Sequence, residues 1–420
     1  MLKNRINMRE IMFFLLGIFS TMQLLSIAGL TLFNICLLST VFIIILERKW
    51  KYDSYFFLSA LACLVTFFLS YRNAALTDGF RKTAITGGIT YLLILILYLI
   101  MQTRPKYAKK LLKGFEVSCK ITLIWCILQV VLYYLLHVDI NTYIFESIMK
   151  IEGARSDYYD GAIIPSGFFY HRAILMPCFL YLFFSTSNLY LSIIIILVSC
   201  LTRSTALVLG LSLALVFRIV IANRNHLFTF KMNINKIKVF ILVLLLSVLL
   251  LCIYNNEILE FVHYIIVRIA DSTSNKADNS SVVHFLYYRN LIPIIQNESV
   301  IHLLFGTGFG TSGLHYTLFN GQYSNMSSWV VESDLINIFL NQGIIGFLLW
   351  GYLLARIVYL SKKYRYWKNI AFVICISLVG VLYNIQFTWF IIVEFAILVL
   401  TKNKIMVFSD KLGKKREERA

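Results

Sequence analysis

Long runs of apolar residues, separated by short basic segments, dominate this 420-residue chain. Hydrophobic residues make up 59% of the sequence and charged residues only 14%. A soluble domain usually carries about 25% charged residues, so this chain has too few polar side chains to cover a water-exposed surface. Helices and closed barrels satisfy their own backbone in a bilayer. We therefore predict an all-α, polytopic integral membrane protein.

The apolar runs predict about 12 transmembrane helices, because a helical span needs about 20 apolar residues. The first run, residues 11–46, is too long for one span and is predicted to form two, with a turn near residues 26–29. A cleaved secretory signal is the alternative reading of this first run, but the second apolar stretch that follows at once favours two retained spans. The other runs are predicted to supply one span each: residues 55–71, 83–101, 115–137, 171–184, 189–201, 205–221, 239–254, 334–360, 370–385 and 387–400.

Basic residues predict the orientation of these spans. The chain carries 39 Lys and Arg against 21 Asp and Glu, a net charge of +18. With the N-terminus in the cytoplasm, the basic clusters at residues 104–113, 218–238, 356–368 and 402–419 all fall on the cytoplasmic side. Cytoplasmic loops of membrane proteins are enriched in Lys and Arg. Both termini are therefore predicted to be cytoplasmic, and the basic excess requires no nucleic-acid partner.

Loop lengths divide the chain into four parts. Residues 1–254 are predicted to hold nine spans with short loops and a medium external loop at 138–170. Residues 255–333 form a large external loop, which carries helix-like stretches at 257–270 and 282–296. Residues 334–401 hold the last three spans, and residues 402–420 form a basic cytoplasmic tail. Because connections in helix bundles are usually about 2–8 residues long, the large loop is the expected place for chemistry.

Two charged residues beside spans are the first candidates for catalysis. Arg203 interrupts an apolar run at an external turn, where it either marks the turn as a snorkelling charge or grips an anion. Arginine suits a phosphate because its planar fork bonds two oxygens at once. Glu332 lies near the end of the large loop, directly before a span. Partial burial there would raise the pKa of its carboxyl group towards the range that suits a general base. For Asp334, and for Ser333 beside it, a helix cap is the preferred reading.

Other loop residues are weaker candidates, and for each a solvated surface role is the alternative. Arg289 lies on the second helix-like stretch of the large loop, His284 lies nearby, and His171 and Arg172 lie at the outer end of a span. The glycine-rich segment 306–310, which contains Gly308, lacks a Walker lysine and is read as a turn or nest.

Metals and cofactors are not predicted. The remaining histidines show no metal-ligand spacing, and all eight cysteines fall in apolar runs, where they read as small core residues. Glu394 lies in the middle of a predicted span and is expected to face the bundle interior or a cavity. The absence of an internal repeat weakens a transporter built from two related halves.

Three motifs occur in order between about residues 165 and 360: Thr202-Arg203-Ser204 between two adjacent spans, Leu304-Phe-Gly-Thr-Gly-Phe-Gly310 at the end of the large loop, and the segment from Glu332 to Gly346 running into a span. This order resembles the O-antigen ligase and polymerase superfamily, and within it the Wzy-type repeat-unit polymerases. Ligases of that superfamily usually carry histidine at the position of Glu332, so the glutamate favours a polymerase.

The resemblance implies a glycosyltransferase of the bacterial cytoplasmic (inner) membrane that makes O-antigen, capsular polysaccharide or exopolysaccharide. Its donor and its acceptor would both be undecaprenyl-diphosphate-linked repeat units. The enzyme would contact membrane lipids, and its protein partners would be a flippase and a chain-length regulator. A flippase or other transporter and a ligase-type transferase are the alternatives. The candidate catalytic residues are Glu332, Arg203 and Arg289, and the candidate substrate-binding residues are Arg172, His171, His284, Asp334 and Gly308.

Overall fold

A computed structural model of the chain describes residues 7–27, 30–45, 53–72, 78–151, 157–159, 162–169, 174–202, 204–223, 288, 291–312, 333–383 and 388–408. This part is mostly helical, which confirms the predicted helical class. In chain order, helices α1 to α12 span Met8–Phe19, Leu32–Ile45, Ser54–Arg72, Asp78–Thr103, Pro105–Leu136, Leu175–Ser185, Leu189–Leu201, Thr205–Asn223, Val300–Phe305, Asp334–Lys363, Trp367–Leu382 and Thr388–Lys402. Residues 291–297 are also helical.

Short elements other than α-helices join some of these helices. Strands β1 (Ser26–Ile27) and β2 (Leu30–Thr31) form an antiparallel hairpin between α1 and α2, with Ser26 opposite Thr31. Within the predicted medium external loop, a π-helix at Thr142–Ile148 precedes a second antiparallel hairpin. That hairpin pairs β3 (Asp157–Tyr159) with β4 (Ala162–Ile164). The sequence pattern predicted no strand in either place.

Three helical segments of the described chain are long and apolar enough to cross a membrane: Ala84–Thr103, Pro105–Leu136 and Asp334–Lys363. Several shorter apolar helices accompany them. The division of residues 11–46 into two helices is confirmed by α1, α2 and the hairpin between them. The predicted span at 239–254 and the helix-like stretch at 257–270 lie outside the described residues.

Helix α5 begins ten residues before the predicted span, at Pro105. The basic segment that it includes is amphipathic, because Tyr107 and Leu111 are buried while Lys106 and Lys110 stay half-exposed and pair with Glu10. The lysine ammonium groups lie 3.0 and 3.3 Å from the two Glu10 oxygens. Lysine side chains can cover apolar surface in this way while their charge stays in water, so the basic run continues the helix.

One large cluster of buried side chains joins most of the helices, and aromatic rings form its centre. Phe115 of α5 lies edge-on to Tyr181 of α6, with ring centroids 4.9 Å apart. The ring centroids of Phe372 on α11 and Phe390 on α12 lie 6.2 Å apart. Glu394 of α12 is 2% exposed, which confirms the expectation that it faces the interior.

Helix ends that were predicted to share a side are in contact. Asp53, before α3, lies 3.9 Å from the Lys402 ammonium at the end of α12, and Lys402 donates to Gln102 at the end of α4 over 2.8 Å. The hydroxyl of Tyr366, before α11, donates to the Lys404 carbonyl over 2.6 Å. We call this part of the bundle the basic end. These contacts bring the start of α3, the end of α4, the start of α11 and the end of α12 together, and the orientation of that end stays a prediction.

Candidate functional site

Helix α10, which begins where the large loop ends, is broken at Gly343. This glycine has φ 68° and ψ −170°, so residues before and after it belong to two separate helical segments. A positive φ is a conformation that glycine adopts without a steric penalty. Broken backbone inside an apolar bundle must find other hydrogen-bond partners. The glycine-rich loop that follows α9 supplies them.

Backbone N–H groups of this loop bond the carbonyls that the break leaves free. The Thr307 N–H donates to the Leu340 carbonyl over 3.1 Å, and the Gly308 N–H donates to the Asn341 carbonyl over 3.0 Å. Gly306, at φ 73°, lies directly against the backbone of Asn341. The loop therefore packs into the break in α10. The Gly308 N–H is already hydrogen-bonded within the protein.

Two asparagines, one helical turn apart on α10, hold the rest of the loop. The Asn341 side-chain oxygen accepts the N–H groups of Thr311 and Ser312 at 3.0 and 2.8 Å. Its amide nitrogen donates to the Asn337 oxygen over 2.7 Å, and that oxygen also accepts the Ser312 hydroxyl over 2.6 Å. Asn341, Thr311 and Ser312 are buried. Buried polar groups need such partners, so this network fixes one position of the loop.

The loop also contacts the helices beside α10. The Thr66 hydroxyl of α3 donates to the Phe305 carbonyl over 2.6 Å. The Phe309 ring lies against Gly87 and 5.1 Å from the Tyr91 ring of α4, measured between centroids. Three helices thus position the glycine-rich segment of the large loop.

A second group of contacts holds the start of α10. The hydroxyls of Tyr288 and Ser333 lie 3.0 Å apart, and both reach the Val381 carbonyl near the end of α11. Burial raises the pKa of Tyr288, so its hydroxyl stays protonated and able to donate at neutral pH. Tyr288 directly precedes Arg289 in the sequence, and Ser333 directly follows Glu332.

The capping role considered for Ser333 and Asp334 needs correction. Ser333 occupies the N-cap position of α10, but its hydroxyl makes no capping hydrogen bond; it donates to the Val381 carbonyl. Asp334 is the first helical residue, not the cap, and it is completely buried. Its carboxylate lies against Gly380 of α11, where a Cβ would come within 2.5 Å of an Asp334 oxygen. An acid in the first turn is still favoured by the helix dipole.

Glu394 of α12 is also buried, and its charge interacts with Asp334 and with Tyr55 on α3. One of its carboxylate oxygens is buried without a hydrogen-bond partner in the described part of the chain. The interior between α3, α10 and α12 therefore holds two carboxyl groups. No group of three or more His, Cys, Asp or Glu side chains among the described residues is arranged to hold a metal ion.

The turn that contains Arg203 is described on both sides of that residue. Thr202 and Ser204 are buried, the Thr202 hydroxyl donates to the Ser199 carbonyl over 2.7 Å, and it accepts the Ser204 N–H at 3.3 Å. Two buried polar residues thus make a tight connection between α7 and α8. The structure agrees with the prediction of a turn between two helices at this place, and its external position stays a prediction.

Most of the predicted site residues lie outside the described residues: Arg203, Glu332, Arg289, His171, Arg172 and His284. Gly308 and Asp334 are described, and their roles in substrate binding remain predictions. Sequence reasoning missed Asn337 and Asn341, whose four-residue spacing in an apolar run is a signal of one polar helix face. It also missed Tyr288 and Gly380, whose contacts join segments far apart in the sequence.

No protein-family model matches the chain, and no curated protein matches it.

Proposed function

We propose that this chain is a polytopic glycosyltransferase of the bacterial inner membrane with about 12 spans and cytoplasmic termini. It polymerises undecaprenyl-diphosphate-linked repeat units at the outer face into O-antigen, capsular polysaccharide or exopolysaccharide. The orientation rests on the positions of the basic clusters. The reaction rests on the motifs around Arg203, Gly308 and Glu332, which resemble those of Wzy-type polymerases.

One observation supports the proposed site most directly. The hydroxyls of Tyr288 and Ser333 lie 3.0 Å apart, although 45 positions separate the two residues. Their immediate chain neighbours are Arg289 and Glu332. This contact between the neighbours of Arg289 and Glu332 favours a site in which the Arg289 cation and the Glu332 carboxylate act on one substrate.

In the proposed reaction, the hydroxyl oxygen of a non-reducing sugar attacks the anomeric carbon of a second, lipid-linked glycan. The bond between that carbon and the diphosphate oxygen breaks as the new glycosidic bond forms. Glu332 takes the hydroxyl proton as general base. The leaving undecaprenyl diphosphate is an anion, and Arg203 and Arg289 stabilise its developing charge. The lipid diphosphate supplies the driving force, so no nucleotide is needed.

A flippase is the second candidate, favoured by the broken helix, since transporters often bind substrates at such breaks. Here, however, the Leu340 and Asn341 carbonyls at the break accept hydrogen bonds from the loop. The break is thereby filled by the protein's own backbone, which weakens the transporter reading. A ligase-type transferase would share the site but use a different acceptor.

Reconstitution of the full chain in liposomes separates these functions. Liposomes loaded with lipid-linked repeat units should yield glycans of several repeats and release undecaprenyl diphosphate. Translocation of single repeat units with no release of the lipid diphosphate would contradict the polymerase and support the flippase.

A further inference from the structure

A cavity of about 240 Å³ lies at the basic end of the bundle, between α3, α4, α10 and α12. Its walls include Asp53, Tyr55, Tyr98, Tyr352 and Arg356. None of these residues belongs to the proposed glycan site. The cavity is about the size of the smaller ligand pockets of proteins, and its charges decide what it can hold.

The negative charge of Asp53 is compensated within the protein. One carboxylate oxygen accepts the Tyr55 N–H at 2.9 Å, where it caps α3. The other accepts the Tyr98 hydroxyl at 3.2 Å and the Gln102 amide, and lies 3.9 Å from the Lys402 ammonium. A carboxylate with these donors has little capacity left for a ligand, and it does not make the cavity acidic.

Arg356 is a cation in the wall of this cavity. Its guanidinium donates to the Tyr352 hydroxyl over 2.5 Å and lies 5.8 Å from the centre of that ring. Within the described part of the chain it pairs with no carboxylate. No described residue accepts its other N–H groups or the proton of the Tyr352 hydroxyl, so the oxygens of an anion can accept them. A planar guanidinium binds phosphate oxygens in pairs.

Two of the helices that line the cavity carry exposed apolar side chains. On α3, Phe57, Leu58 and Leu61 are 57%, 53% and 50% exposed, and on α10 Leu348 is 62% exposed. These two helices also form part of the cavity wall. An apolar flank next to this cation fits a ligand with an anionic head and hydrocarbon chains. A soluble phosphate ester would use the cation but not the apolar flank.

We propose that this cavity binds the phosphate head group of an anionic phospholipid, with Arg356 and the Tyr352 hydroxyl as its ligands and the acyl chains along α3 and α10. The proposal is independent of the glycan chemistry, because lipid binding is measured without any polymerase substrate. The kind of ligand is also testable, since a soluble phosphate ester presents the same phosphate oxygens without the acyl chains.

The experiment uses the full chain, purified in a nonionic detergent and stripped of lipid. Native mass spectrometry then measures retained phosphatidylglycerol and phosphatidylcholine for the wild type, Arg356→Gln and a matched control, Lys362→Gln. Both substituted side chains are exposed cations on α10, so both variants should fold. The protein should prefer phosphatidylglycerol. Arg356→Gln should bind it about tenfold more weakly, as expected for loss of a charged hydrogen bond, and Lys362→Gln should match the wild type.

Two results would overturn the proposal. Equal phosphatidylglycerol retention by Arg356→Gln and the wild type would show that the cation does not bind the head group. Protection from thermal unfolding by glycerol 3-phosphate, equal to that given by phosphatidylglycerol, would replace the lipid with a soluble phosphate ester.

Discussion

Gly306 and Gly343 each lie against the backbone of the other's chain segment: Gly306, in the loop after α9, against Asn341 and Gln342, and Gly343, at the break in α10, against Leu304 and Phe305. Each has a positive φ, and a Cβ on either residue would overlap the backbone of the other's segment. This contact joins the glycine-rich segment of the large loop to the first part of a long helix. Of the proposed site residues, Gly308, Glu332 and Asp334 lie between Gly306 and Gly343 in the sequence.

Gly343→Ala should destabilise the folded protein by about 2 kcal/mol or more, because overpacking costs about 1–3 kcal/mol and a positive φ adds to it. Gly351→Ala is the matched control on the same helix, since no atom lies within 4 Å of a Cβ placed there. That control should be neutral or slightly stabilising. Thermal unfolding of both variants in detergent provides the comparison, and equal midpoints would contradict the account of the break.

Asn341→Ala tests the polar network in the same region. It leaves the buried N–H groups of Thr311 and Ser312 without their acceptor. Each unsatisfied buried group costs about 1–3 kcal/mol. Asn297→Ala is a suitable control, since that amide is exposed and makes a single bond to the Pro293 carbonyl. A loss of stability no larger than in the control would show that water or other groups replace Asn341.

The sequence predicted the helical class, the division of the first apolar run and the turn around Arg203, because each depends on local pattern. It predicted Gly306–Gly310 as a turn, but it did not predict that this turn packs against the break in α10. The break at Gly343 was missed because the apolar run continues through it. The contact between Asp334 and Gly380 was missed because it depends on how two helices pack, which no local pattern records.

The predicted orientation can be tested by cysteine labelling. The native cysteines must first be replaced, since Cys200 is exposed and would react. Cysteines at Asn279 and Ser324 should then react with an impermeant reagent in spheroplasts, whereas one at Ser409 should react only after the membrane is opened. Labelling of Ser409→Cys alone in sealed spheroplasts would reverse the orientation and remove the site from the outer face.

Arg203 is proposed to hold the diphosphate leaving group. Arg203→Lys keeps the charge but loses the two-pronged geometry, so it should be impaired, and Arg203→Ala should be nearly inactive. Lys276→Ala removes another predicted external cation that has no assigned role, and it should polymerise normally. Glycan length at equal membrane abundance is the readout. Glycan of normal length from Arg203→Ala would show that this arginine has no role in catalysis and serves only as a charge at a turn.

The role of Glu332 is the central claim, and Glu332→Gln tests it most directly. The substitution keeps the size of the side chain and most of its hydrogen bonding, but it removes the basic group. A general base typically contributes about 10²–10⁴-fold to a rate. A folding role instead lowers the amount of protein in the membrane, so abundance and glycan length must be measured together.

The measurement is glycan length per unit of membrane-inserted protein, compared between the wild type and Glu332→Gln in cells without another polymerase. We predict single repeat units from the variant at wild-type abundance and long glycan from the wild type. Long glycan from Glu332→Gln at wild-type abundance would contradict the assignment of Glu332 as the general base.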